Sequence, residues 1–348
     1  MIGRSRTLVR AALVVLCLGL VSACGSGSSD DNARVIKWGT AGIQGTTPWA
    51  VHLVALGQGY FDDVEKEHNV TFEFSDVAPS ESLPMLDSGA LDVLGKPSPT
   101  YALARVKDFD FVTLVEAFEN QNVALVAAKK FESTHGNDLA AFKDAKWGYV
   151  APGSTTEAVA RAAVSGTGIV WEGLDRVAYG KIPAGIASLE SGRLDIIATD
   201  VGSAGAIVAS GKGYVVYNSN VSLNTVGGGP IVTGDFARGN PELTQAMTDV
   251  YLRAMNTLYP VKDDPEKVLA LFPEKFQDLM RDGFAEAWKL TVPALHTDGR
   301  FDADEIASMI DFLVSYGYIE PADKDKLDGI WDNSYVDASS VTVNVGKY

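Results

Sequence analysis

Short apolar runs flanked by glycine or charge recur along this chain at 35–38, 70–74 and 91–94, and again at 147–150, 175–179 and 195–198; each predicts a strand. Alongside them lie stretches with apolar residues at helical spacing, 49–59, 82–88 and 98–106 in the first series and 155–165, 184–191 and 203–210 in the second. Strands alternating with helices predict an α/β protein whose mostly parallel sheets are covered by helices. From about residue 224 to the end the pattern is helical. Asn240-Pro241 and Asp264-Pro265 each set a good N-cap before a Pro at the first helical position, and Asp302 with Glu305 reads as a capping box.

The two series are related. "VIKWGTAGIQG" (35–45) returns as "DAKWGYVAPGS" (144–154), and "LDSGALDVL" (86–94) returns as "LESGRLDII" (189–197). Trp38 and Trp147 are 109 positions apart, Leu86 and Leu189 are 103 apart, and the order is preserved. A duplicated α/β unit explains this, whereas the period is too long and the copies too few for a solenoid. The helical segment after 224 carries no third copy and is expected to pack back on one of the two units.

In open parallel sheets ligands sit at the carboxyl ends of the strands. The duplication therefore predicts two matching rows of loops. In the first unit these are Thr40-Ala41-Gly42-Ile43-Gln44 and Lys96-Pro97-Ser98-Pro99-Thr100, with Ser98 a cap and Lys96 a counter-charge. In the second they are Gly153-Ser154-Thr155-Thr156 and Thr199-Asp200-Val201-Gly202. Ser154 to Glu157 spells S-x-x-E, a capping box that needs no ligand. The same helix start leaves unpaired N–H groups and a partial positive charge, which suits an anion; Gly153 lets a ligand approach the backbone, and the hydroxyls of Ser154, Thr155 and Thr156 add donors.

The N-terminus changes where this chemistry is expected to operate. Arg4, Arg6 and Arg10 precede eleven apolar residues, 11–21, followed by Ser22-Ala23-Cys24. Eleven are too few to span a bilayer, and the pattern reads as a signal peptide, 1–23, that resembles a bacterial lipobox with Cys24 as the lipidated mature N-terminus. Residues 24–33, rich in Gly, Ser and Asp, read as a flexible tether. The expected location is extracytoplasmic, lipid-anchored to the cell membrane. Removing the leader takes Cys17 and three Arg, leaving 26 basic against 45 acidic side chains, a net charge of −19. That body suits neither nucleic acid nor a basic membrane-binding face, and one remaining Cys permits no intramolecular disulfide. Roughly 320 residues suit about two domains.

Taken together, "LVALGQGYFDDVEKEHNVTFEF" (53–74), "LDSGALDVLGKPSPTYALA" (86–104), "LAAFKDAKWGYVAPGSTTEAVARAA" (139–163), "IASLESGRLDIIATD" (186–200) and "WDNSYV" (331–336) resemble the substrate-binding proteins of ATP-binding-cassette importers, in the taurine, aliphatic sulfonate, nitrate and thiamine-precursor group. The resemblance covers nearly all of the chain after the leader. It implies a two-lobed type II periplasmic-binding-protein fold with the ligand cleft between lobes. The expected division is 34–124 in the first lobe, 125–218 in the second, and 219–348 returning to the first with C-terminal helices; the crossings are placed near 123–128 and 214–218. Many relatives carry Trp-Glu-Pro where this chain has Thr199-Asp200-Val201, so Asp200 stands where that glutamate would and the aromatic wall is missing.

Enzyme readings find little support. His52, His68, His135 and His296 are scattered without metal-ligand spacing, and no G-x-S-x-G or P-loop pattern occurs. "HTDGRFDADE" suggests a calcium loop, but Ala294 and His296 occupy the places of its first two carboxylates. A pyrimidine-synthesising enzyme family shares the overall look but relies on clustered cysteines, which the mature chain lacks. The reading therefore calls for no catalytic residue, metal or cofactor. It expects a monomeric receptor that closes on a small molecule and presents it to a permease. The favoured ligand is a small organic anion of the sulfonate kind; the net charge argues mildly against it, but screening within about 8 Å lets local donors dominate. The alternatives are a thiamine-precursor-like heteroaromatic, held by Asp200 and Glu119 with Trp49 or Tyr101 stacking, and a receptor that signals to a membrane sensor.

Overall fold

Ten strands form two five-stranded sheets of one design in this computed structural model, which describes residues 33–40, 46–78 and 80–345. The leader, Cys24, the tether before Ala33 and the loop carrying Gly42, Ile43 and Gln44 lie outside the described residues. The first sheet contains β1 (Arg34–Thr40), β2 (Val70–Asp76), β3 (Val93–Pro97), β4 (Phe111–Thr113) and β10 (Gly228–Thr233), in the order β2-β1-β3-β10-β4. The second contains β5 (Val123–Ala128), β6 (Lys146–Tyr149), β7 (Asp175–Ala178), β8 (Ile196–Asp200) and β9 (Gly213–Asn218), in the order β7-β6-β8-β5-β9. In each, β1 with β2 and β3, or β6 with β7 and β8, run parallel, and the fourth position holds an antiparallel strand that has come from the other sheet.

The duplicated motifs are the joints of these sheets. In the first, Lys37 N donates to Asp92 Oδ2 at 2.9 Å and Asp92 N donates back to Lys37 O at 2.9 Å. In the second, Lys146 N donates to Asp195 Oδ2 at 3.1 Å and Asp195 N to Lys146 O at 2.9 Å. Gly39 and Gly148 follow the tryptophans because a Cβ there would lie 2.4 Å from Leu91 or 2.5 Å from Leu194, the leucine of the partner motif in each case. Gly89 and Gly192 take left-handed φ values of 73° and 71°, ending the preceding helix as only glycine does without strain. Trp38 and Trp147 are both fully buried. Trp38 is ringed by His52, Phe61, Phe72 and Tyr251 at centroid separations of 5.2–6.1 Å. His52 belongs to this core: its Nδ1 lies 2.8 Å from Tyr251 Oη, and burial pushes its pKa down to about 3.

The helices α1 (Ala50–Gly57), α2 (Tyr60–His68), α3 (Ser82–Asp87) and α4 (Ser98–Val106) belong to the first half, and α5 (Thr155–Val164), α6 (Ile182–Glu190) and α7 (Val201–Ala209) to the second. The helix expected over 49–59 stops at Gly57, and α2 begins after Gly59, whose φ of 70° breaks the axis; apolar spacing alone did not reveal that second helix. Beyond 224 the pattern is helical as expected except for β10, whose opening Gly-Gly-Pro disguises a strand that pairs with both β3 and β4. Asp264 and Asp302 cap their helices, through Lys267 N and through Asp304 and Glu305 N, whereas Asn240 makes no side-chain cap bond.

The C-terminal segment does not pack on one unit; it spans both. Helix α8 (Pro241–Leu258) packs on α1 and α2. Helix α9 (Phe284–Thr291) touches the second unit so closely that a Cβ on Gly205 of α7 would meet the Ala287 backbone at 2.3 Å, while its Thr291 hydroxyl bonds Thr47 of the first. Helix α10 (Ala303–Ser315) leads to Tyr318, whose hydroxyl donates to Ser154 O at 2.7 Å, and on to Trp331, whose indole donates to Ser98 Oγ at 3.2 Å.

Candidate ligand-binding cleft

Strand register shows which ends of the sheets face one another. Gly228, the first residue of β10, pairs with Pro97 at the carboxyl end of β3, and Val123, the first residue of β5, pairs with Asp200 at the carboxyl end of β8. The chain therefore crosses between the carboxyl edges of the two sheets twice, through residues 114–122 and 219–227. The strands expected to make the crossings, 123–128 and 214–218, lie wholly in the second sheet as β5 and β9; the strand that returns is β10. The crossings are bonded to each other: Asn120 N donates to Thr225 O at 2.8 Å, Gln121 Nε2 to Thr225 Oγ1 at 2.8 Å, and Asn220 Nδ2 to Asn122 Oδ1 at 2.8 Å. Asn120 and Asn122 hold φ values of 59° and 52°, a conformation that asparagine tolerates better than most residues. The cleft is the space between these edges, and the paired crossings join the two lobes.

On the first lobe Thr40 ends β1, buried, with its hydroxyl donating to Ser75 O at 3.2 Å. Lys96 sits near the end of β3, only 3% exposed, and its ammonium donates to Ser82 Oγ at 2.9 Å. Ser82 opens α3 and is itself fully buried. Burial pushes the Lys96 pKa down to about 8. Ser98 is not a cap: Pro97 holds the cap position, and the Ser98 hydroxyl instead serves Trp331, because the C-terminal segment covers the start of α4.

On the second lobe the turn before α5 bonds to itself. Ser154 Oγ accepts from Glu157 N at 3.3 Å, and Glu157 Oε2 reaches back to Gly153 N at 2.7 Å, one residue before the cap, while Ser154 N donates to Ala151 O. Thr156 is buried, its hydroxyl accepting from Val150 N at 3.0 Å and lying 2.9 Å from Ser154 Oγ. Thr155 is the first residue of α5. Asp200 caps α7 through Ser203 N at 2.9 Å.

The remaining candidate, Glu119, lies in the first crossing and lines a different space, a cavity of about 700 Å³ shared with Glu116, His296, Asp298 and Glu305; no other candidate among the described residues lines it. Trp49 and Tyr101, the aromatic groups expected to stack on a heterocycle, are buried against Phe118 and Phe111. Ser82 and the crossing amides Gln121, Asn122 and Asn220 were not singled out in the sequence; the run Glu119-Asn120-Gln121-Asn122 was the available signal.

Similar solved structures share this arrangement. The periplasmic nitrate-binding protein NrtA from Synechocystis matches with a TM-score of 0.67 at 14% identity over 88% of each chain. The periplasmic aliphatic sulphonate binding protein SsuA from Escherichia coli matches with a TM-score of 0.65 at 16% identity, covering 87% of this chain and 99% of that one. The alkanesulfonate-binding protein SsuA from Xanthomonas axonopodis, bound to MOPS, matches with a TM-score of 0.59 at 13% identity over 82% and 93%. This chain has the two-lobed periplasmic-binding-protein fold. No family model and no curated protein matches its sequence. For this periplasmic-binding-protein fold, no described helix is long and apolar enough to cross a membrane, and no group of three or more His, Cys, Asp or Glu among the described residues is placed to hold a metal.

Proposed function

We propose that this protein is the extracytoplasmic solute-binding component of an ABC importer, and that it carries a small organic anion of the sulfonate kind. The observation that carries the ligand class is Lys96, a buried ammonium at the carboxyl edge of the first sheet, beside the hydroxyl that opens α3. An ammonium at this edge can donate to an anion as well as to Ser82, and a hydrogen bond between two charged groups is among the strong ones. Closure about the bonded crossings then presents the loaded form to a permease, a shift of population between open and closed states with no bond chemistry. Residues 1–23 are removed in this reading, and Cys24 carries the lipid that holds the protein at the membrane.

A thermal-shift screen of protein lacking residues 1–24 against sulfonates, nitrate, carboxylates and heteroaromatics tests the ligand. A ligand at a hundred times its Kd stabilises by about 2.7 kcal/mol. Stabilisation by heteroaromatic cations alone, with no anion acting, rejects the anion reading. Cys24→Ser in the full chain tests the anchor: the protein should fold and leave the membrane fraction, and a lipid-modified mutant would refute it.

A further inference from the structure

The cavity beside the crossings is lined by five carboxyl groups, those of Glu116, Glu119, Asp298, Asp302 and Glu305. Glu116 lies in the first crossing, fully buried, and holds both crossings together: its Oε1 accepts from Gly227 N at 3.0 Å, and its own N–H donates to Gly299 O at 2.9 Å. Glu305 stands in the first turn of α10, where the capping box predicted a reach back to Asp302. It lines the same cavity as Glu116 instead, and each carboxyl acts on the other's proton. Glu116 Oε2 and Glu305 Oε2 are both buried, and neither has a partner that could donate a hydrogen to it. Two carboxylates cannot lie together in that state without a proton between them.

We propose that Glu116 and Glu305 share one proton, and that this proton clamps α10 to the paired crossings. The proton resides on Glu116 and is donated to Glu305, which leaves Glu116 Oε1 free to accept from Gly227. Burial pushes the Glu116 pKa well above the usual carboxylate range, and the neighbouring Glu305 adds to it. Burial and Asp302 raise Glu305 to about 7. Burial, Glu305, Asp298 and Asp302 raise Glu119 to about 8 against the opposing pull of Lys262. The other groups that face the pair do not replace the proton. Tyr259 gives its hydroxyl hydrogen to Thr297 O, the Tyr101 hydroxyl of α4 bonds neither carboxylate, Arg300 is paired with Asp337, and burial lowers the pKa of His296.

The sign follows from linkage. The folded state holds protons that the unfolded chain has released above about 4.5, so the clamp is at full strength below that pH and is lost as pH rises through the raised values of the pair, about 7 at Glu305 and well above the usual carboxylate range at Glu116. Each proton held only in the clamped form makes local opening up to about tenfold more frequent per pH unit.

Hydrogen exchange of the purified protein between pH 5.5 and 8.5, corrected for intrinsic chemical exchange, reads this directly in residues 116–122, 225–229 and 299–309. Protection should fall across that range by about tenfold or more and then level off. Glu116→Gln supplies a permanent donor to Glu305 and keeps an oxygen for Gly227, so its protection should stay high with most of the pH dependence gone. Glu305→Ala should open the same segments even at pH 5.5. Unchanged protection in the wild type, or a full wild-type pH dependence in Glu116→Gln, overturns the proposal. Recovery of protection at pH 8.5 by added Ca²⁺ or putrescine also overturns it, in favour of a cation site.

Discussion

Aligned copy on copy, "LDSGALDVLGKP" (86–97) and "LESGRLDIIATD" (189–200) agree where they build sheet and part where they meet the cleft. Leu91 and Leu194 fill the space left by Gly39 and Gly148, and Asp92 and Asp195 each bond the backbone of the lysine that opens the KWG triplet. The last two positions diverge. Lys96 corresponds to Thr199, and Pro97 corresponds to Asp200, so one lobe ends this motif on a buried cation and the other on a helix-capping carboxylate. The repeated residues are therefore a code for joining strands, and Lys96, the proposed ligand contact, lies where the repeat fails.

The largest effect should come from breaking the shared part. Leu91→Ala and Leu194→Ala each remove a buried side chain from equivalent sockets, so each should cost about 2–5 kcal/mol of stability, and the two losses should be similar. Urea denaturation measures both; a loss at only one site would show that the two joints are not equivalent.

The divergent position comes next. Lys96→Ala should weaken an anionic ligand about ten- to a hundredfold, the worth of about 1.5–3 kcal/mol for a hydrogen bond to a charged group, while Thr199→Val should change affinity little. The Lys96 pKa near 8 gives this contrast a pH signature. An anion stabilises the ammonium and raises its pKa in the complex, so affinity is full below about pH 8 and declines by up to tenfold per unit above it, until the complex itself loses the proton. Calorimetry across pH 6.5–9.5 would show this, and a flat profile would remove Lys96 from the site.

Smaller effects sharpen the same contrast. Thr156→Ala should cost about 1 kcal/mol of stability by stranding Val150 N, yet change affinity by less than about threefold, since the hydroxyl is occupied within the turn. A tenfold loss of affinity would restore that turn as a ligand site. Asp200→Asn should be smallest, because asparagine caps about as well as aspartate, and loss of an anionic ligand on that change would contradict the arrangement.

Much of the fold was legible because it rests on local periodicity and on the repeat: the three parallel strands of each unit, helix 98–106, and the caps at Ser154, Asp264 and Asp302. The candidate site was less legible. Hydroxyls in a Gly-Ser-Thr-Thr turn look the same in sequence whether they face a ligand or one another, and here Ser154 and Thr156 face one another. Ser82 was passed over because its contact with Lys96 joins residues 14 positions apart on separate elements.

The sequence by itself determined that two α/β units stand in series with their loops at the carboxyl ends of parallel strands, because alternation, glycine punctuation and repetition are properties of neighbouring residues. Only the tertiary structure decided that the C-terminal segment spans both lobes, that Glu119 belongs to the acid cavity apart from the other candidates, and that Glu305 leaves its capping box for Glu116. Those outcomes depend on which distant side chains share a buried volume, where removing a charge from water makes the nearest proton or partner decisive.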